Sequence, residues 1–192
     1  MSVRRLKAVC VLLLFSMGRI ADSNVLNEPV PSRIKPRTAS VFDEPKTAVL
    51  RHTSVTVATG QLLASNSRFF AEVLSDNVAS AGGSFPSKPG VNLLGRIRVA
   101  PEDVGQRADI LLVATYQGAW YMRTLQGWQA WDQQLQTLAA VDVPHTLAVI
   151  EDVDIATSLT LIGDFSIFLG YRRQGLIQYS PMPLQFSLVP TP

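Results

Sequence analysis

Between Val91 and Val99 the side chains alternate. Val91, Leu93, Ile97 and Val99 share one face, while Asn92, Arg96 and Arg98 occupy the other. Successive residues of a strand point to opposite sides, so a period of two predicts a half-buried strand and excludes an amphipathic helix here. Phe165, Ile167, Leu169 and Tyr171 repeat the pattern, as do Leu184, Phe186 and Leu188. Residues 108–116 are apolar on both faces, as a central strand covered on both sides would be. Turn signals separate these runs: Gln117-Gly118, Gln126-Gly127, Gln174-Gly175, and the pair Pro181 and Pro183. Short strands joined by such turns predict a mostly β chain, an antiparallel β-sandwich of immunoglobulin-like type, as one domain over residues 47–192.

Three stretches depart from the simple pattern. Phe69, Phe70, Val73 and Leu74 recur at helical spacing, which predicts one short helix near residues 67–78, with a strand as the alternative. Residues 81–90 are rich in glycine, serine and proline and read as a loop. Glu151 falls on the same alternating face as Leu147, Val149, Val153 and Ile155, which predicts a bulge or a sheet edge there.

The first eighteen residues have the layout of a cleaved secretory signal peptide. Arg4, Arg5 and Lys7 precede a short apolar run, and Ser16 and Gly18 are small residues at cleavage-site positions. The run is shorter than the roughly 20 residues a membrane-spanning helix needs. The expectation is an exported chain, periplasmic or extracellular, starting near Arg19 and carrying no transmembrane span; an uncleaved anchor is the alternative. Cys10 would leave with the leader, which excludes a disulfide framework and a thiol nucleophile. Of 17 basic and 15 acidic residues, three basic ones lie in the leader, so +2 becomes −1 after cleavage. The basic balance therefore gives no reason to expect nucleic acid as a partner. Residues 19–46, punctuated by Pro29, Pro31, Pro36 and Pro45, read as an extended arm or linker. Arg33, Lys35 and Arg37 within it fit a solvated tether, with an acidic contact surface as the alternative.

Four phrases stand out between residues 99 and 186. They are the run from Val99 to Asp109, Trp128-Gln-Ala-Trp-Asp132, the run from Gly163 to Arg172, and Gly175-Leu-Ile-Gln-Tyr-Ser180. Together this half of the chain resembles a β-rich module that recurs in secreted and surface proteins of proteobacteria. The resemblance implies export and a β-rich fold, and it transfers no catalytic residue. Arg173-Gln-Gly175 stands where the module suggests an acidic residue near the glycine, which speaks against a calcium turn.

The chemical inventory is thin. No nucleophile elbow, phosphate-binding glycine loop, zincin helix or calcium loop is present. His52 and His145 sit outside any catalytic motif, and a hydrolase would have to bring one of them to a serine and a carboxylate. Asp152 and Asp154 share a strand face and, with Glu151, are the weak metal candidates; a hard cation needs six to eight oxygens, so no metal and no cofactor is expected. The better candidate is aromatic. Tyr116, Trp120, Tyr121, Trp128 and Trp131 fall close together. Exposed, they would form a ligand platform; buried, they would be core. Trp128 and Trp131 are three apart, which puts them on opposite faces of a strand and side by side only in a turn. The leading expectation is an exported, non-enzymatic binding or structural module that contacts a partner protein or the cell envelope. The alternatives are a carbohydrate-binding module built on the Trp/Tyr set and a small periplasmic hydrolase. An outer-membrane barrel is disfavoured, because long alternating strands with aromatic girdles are too few.

Overall fold

The computed structural model describes residues 53–191. The expected leader, the proline-rich arm and His52 lie outside the described residues. In chain order the strands are β1 (Thr53–Thr56), β2 (Leu62–Ala64), β3 (Arg68–Ser75), β4 (Val78–Ser80), β5 (Gly82–Pro86), β6 (Val91–Arg98) and β7 (Arg107–Tyr116). They continue as β8 (Ala119–Thr124), β9 (Gly127–Ala130), β10 (His145–Thr146), β11 (Ile150–Leu159), β12 (Gly163–Arg173), β13 (Leu176–Tyr179) and β14 (Leu184–Val189). One 3-10 turn, Pro101–Asp103, precedes β7.

The strands form the antiparallel sandwich that the alternation predicts. A ten-stranded sheet is built on the long pair β7 and β12, in register from Phe165↔Tyr116 to Arg172↔Asp109. The outer edges of both strands are shared. β14 pairs with the first half of β12 and β13 with the second, while β10 and β8 divide β7. The opposing four-stranded sheet runs β11-β6-β3-β4. Between the sheets lies the main core, in which Val73, Leu93, Ile97, Leu112, Ile155, Ile167, Leu169 and Tyr171 are buried. A smaller apolar cluster of Val55, Leu111, Val113, Leu138 and Ile177 lies on the other face of the large sheet. The doubly apolar run of β7 thus has two cores to serve.

Three two-residue turns place both central residues at positive φ: Asp76-Asn77, Gln117-Gly118 and Gln174-Gly175. That geometry matches the right-handed twist of the flanking strands and is the favoured hairpin turn. The edge expected around Glu151 is also present. β11 is an outer strand with register shifts after Asp154 and after Ala156. Val149, however, is exposed rather than inward.

Two sequence expectations are corrected. The helix near residues 67–78 is a strand, β3, paired with β6 from Arg68↔Arg98 to Leu74↔Asn92. Phe69 and Val73 enter the main core while Phe70, Glu72 and Leu74 alternate to the other face, where Glu72 is also buried. A strand with apolar residues on both faces mimics helical spacing. Residues 81–90 are not wholly loop either. β5 runs parallel to β14, from Gln185↔Gly82 to Val189↔Pro86. Gly82 has φ of 150°, and a Cβ there would meet the Gln185 carbonyl oxygen at 2.5 Å. Its missing side chain is what admits β14.

Candidate functional site

The outer face of the large sheet carries a groove. Leu111 and Val113 of β7, Phe168 and Gly170 of β12, Ile177 and Tyr179 of β13, Val55 of β1 and Trp120 of β8 supply its floor and one side. The irregular segment 131–141 crosses above them and contributes Trp131, Gln133, Leu135 and Leu138. These residues enclose a cavity of about 360 Å³. Gly170 lets β13 lie close against β12, since a Cβ there would lie 2.6 Å from the Gln178 carbonyl oxygen. The half-buried ring of Trp120 stacks on Phe168 at 5.5 Å and meets the edge of Trp131 at 6.1 Å. The lining is almost wholly apolar; Gln133, Tyr179 and the two tryptophans are its residues with polar side-chain groups.

The crossing segment is held by named contacts. The Trp131 amide donates to the Trp120 carbonyl at 2.9 Å. The Trp131 indole donates to the Gln134 carbonyl and to Thr137 Oγ1, both at 3.2 Å. Asp132 Oδ1 accepts from the Thr137 hydroxyl at 2.5 Å and from the Gln134 amide at 3.0 Å. These two bonds, the hydroxyl first, hold the Asp132 carboxyl below its ordinary pKa. Further on, Arg172 bridges two elements. Its Nη2 and Nε reach Asp109 Oδ2 at 2.6 and 3.0 Å, and its Nη1 donates to the Leu138 carbonyl at 2.9 Å.

Of the five aromatic candidates the groove gathers Trp120 and Trp131. Tyr116 belongs to the main core side, stacked on Phe165 at 4.9 Å with its hydroxyl donating to the Ile162 carbonyl. Tyr121 alternates to the opposite face of β8 from Trp120. Trp128 packs against the main core, with the Arg123 guanidinium 5.8 Å from its ring centre. Trp128 and Trp131 therefore do not form a platform together. Trp128 points inward from β9, and Trp131 follows the end of that strand on the groove side. The pair that meets is Trp120 with Trp131. Sequence reading missed Phe168, Leu135 and Leu138. The available signal was the doubly apolar β7, which implies that its outer face is also covered.

A second cluster is polar and buried. Asp103, at the end of the 3-10 turn, is fully enclosed and pairs with Arg173 Nη2 at 2.6 Å. The Tyr171 hydroxyl and the Gln178 carboxamide nitrogen donate to its Oδ2, the former at 2.7 Å. Ser67 Oγ lies 2.6 Å from the Tyr171 hydroxyl and 2.7 Å from Gln178 Oε1, which Ser65 also contacts. Burial above all, with the Asp103 carboxylate adding to it, pushes the Tyr171 pKa up, so the phenol stays protonated and donates. Ser67, Asp103 and Tyr171 are closed to solvent. The arrangement can pin the turn to β12 and β13; it offers no opening to a substrate.

The remaining polar candidates are tied to neighbours. His145 Nε2 lies 3.3 Å from Glu151 Oε2, and Glu151 Oε1 accepts the Ala148 amide at 2.5 Å. Among the described residues no serine hydroxyl bonds to His145. Asp152 takes both arms of Arg96, at 2.6 and 3.1 Å, while Asp154 is exposed. Among the described residues no three His, Cys, Asp or Glu side chains converge to hold a metal, and no helix is long and apolar enough to cross a membrane. Comparison with protein-family models, with curated proteins and with solved structures found no match.

Proposed function

We propose that this chain is an exported, non-enzymatic β-sandwich module that acts by contact, with the groove beneath Trp120 and Trp131 as its contact surface. The observation that carries this reading is the stacked set Trp120, Phe168 and Trp131 lining an apolar cavity at the protein surface. Such rings bury large apolar area, and each aromatic contact adds about 0.5–1.5 kcal/mol beyond that burial. The partner is a protein or cell-envelope component that presents apolar groups.

The phrases in which the chain resembles a secreted proteobacterial module fit this reading. Asp109, Trp131, Asp132 and Arg172 hold the groove wall, and Asp103, Tyr171 and Gln178 hold the adjoining turn. Their presence is accounted for without catalysis. A carbohydrate site has less support. The Trp/Tyr set it would use is divided, with only Trp120 and Trp131 meeting at the groove, and a sugar needs more hydrogen-bonding groups than this apolar lining supplies.

The test is a fluorescence titration of the purified chain with capped apolar peptides and with a glycan panel, repeated on Trp120→Ala and Trp131→Ala. Quenching by peptides that both substitutions weaken supports the proposal. Tight glycan binding, or hydrolysis of a model ester, amide or glycoside that His145→Ala abolishes, overturns it.

A further inference from the structure

We infer that residues 131–141 form a strap that detaches from the sheet as a unit while the sandwich stays closed, and that Arg172 is its latch. The segment forms no strand and belongs to neither sheet ladder. What organises it is largely internal. The bonds among Trp131, Asp132, Gln134 and Thr137 join strap residues to one another and would travel with it.

Beside the packing of Leu138 and Val141, its central and C-terminal hydrogen bonds to the sheet are few. They are the Gln136 carboxamide on the Val57 carbonyl at 3.2 Å, Arg172 on the Leu138 carbonyl at 2.9 Å, the Ala139 amide on Met122 Sδ at 3.3 Å, and the Val141 amide on the Ile110 carbonyl at 2.9 Å. Arg172 suits a releasable latch for an electrostatic reason. It holds Asp109 through Nε and Nη2 and the strap through Nη1, so letting go of Leu138 leaves its counter-ion in place. Releasing an ion from its counter-charge would be costly, and this release avoids it.

Opening withdraws Leu135 and Leu138 and uncovers Leu111 and Val113, which are 2% and 7% exposed when the strap is closed. The groove is therefore a closed state of a wider apolar surface, able to admit a group larger than the cavity it now encloses. The inference concerns opening alone and stands whether or not the groove is the contact surface.

Native-state amide hydrogen exchange of the full chain tests it. The Ala139 and Val141 amides report detachment, and the Val113 and Phe168 amides, on residues paired across β7 and β12, report the sandwich. The strap pair should exchange together, about 100-fold or more faster than the sandwich pair and with a urea dependence smaller than that of the sandwich pair but not zero, as a sub-global opening that uncovers apolar surface does. Arg172→Lys keeps a charge beside Asp109 but loses the planar fork, and should speed the strap pair about 10-fold while leaving Val113 and Phe168 unchanged. Strap amides that exchange at the sandwich rate with the same urea dependence would overturn the inference. So would unrelated rates for the two strap amides, or a Lys variant that accelerates all four equally. If that variant does not fold, the parent rates decide the matter alone.

Discussion

Tyr171→Phe removes one oxygen from a site closed to solvent and leaves the ring packing intact. The hydroxyl it deletes donates to Asp103 Oδ2 at 2.7 Å and lies 2.6 Å from Ser67 Oγ. Asp103 keeps Arg173 and Gln178, and Ser67 keeps Gln178. No group is left wholly unpaired, so the cost is that of one hydrogen bond to a charged acceptor, about 1.5–3 kcal/mol, rather than that of an abandoned buried charge. For a domain of this size about 2 kcal/mol corresponds to a fall in Tm of roughly 5–10 °C. Urea denaturation should show a lower midpoint with an unchanged slope. Ser67→Ala alone should cost about 1 kcal/mol, and the double variant should cost less than the sum, because the two hydroxyls contact each other. A Tyr171→Phe variant within about 0.5 kcal/mol of the parent would refute the claim that this network pins the turn.

Ile167→Asp should destabilise by more than about 4 kcal/mol, because it places a charge among buried side chains, whereas Ser166→Asp on the other face should cost under about 1 kcal/mol; equal damage in denaturant melts would mean that β12 is read in the wrong register. Glu72 carries a pKa raised by burial, only partly offset by Arg96, so its stabilising contribution is complete below the unfolded value near 4.3 and is lost as pH rises through the higher folded value. Glu72→Gln should therefore gain stability over the parent at pH 8 relative to pH 4, and a gain that is the same at both would contradict the burial cause. Asp132 is the opposite case: its pKa is lowered by the Thr137 hydroxyl and the Gln134 amide, so its contribution is present above the unfolded value near 3.9 and is lost as pH falls through the folded one. Asp132→Asn should remove the acid transition from Trp131 fluorescence, and persistence of that transition would assign it to another group.

The fold was legible wherever one face is buried and the other wet. β6 and the inner set of β12 follow directly from their alternation, and residue type marks the β7–β8 turn at Gln117-Gly118 and the β12–β13 turn at Gln174-Gly175. β3 was not legible, because Phe70 and Leu74 put apolar, half-buried side chains on the face opposite Phe69 and Val73 and blur the period. β5 was hidden because a Gly-Gly-Ser run becomes a strand only when β14 lies beside it. At the groove, Trp120 and Trp131 were legible as aromatic candidates. Their pairing was not, since it depends on the chain leaving β9 at Ala130 and turning across the sheet. Phe168, Leu135 and Leu138 come from separate elements and have no shared local signal.

The central claim is that the groove beneath Trp120 and Trp131 is where this module makes contact. Its most direct test is an NMR titration of the described domain within the full chain, using capped dipeptides of leucine and phenylalanine as the probe. The prediction is saturable shifts confined to the methyl groups of Leu111, Val113, Leu135 and Leu138 and the indole signals of Trp120 and Trp131. Shifts centred on Trp128, or on His145 and Glu151, or none at millimolar peptide, would contradict it.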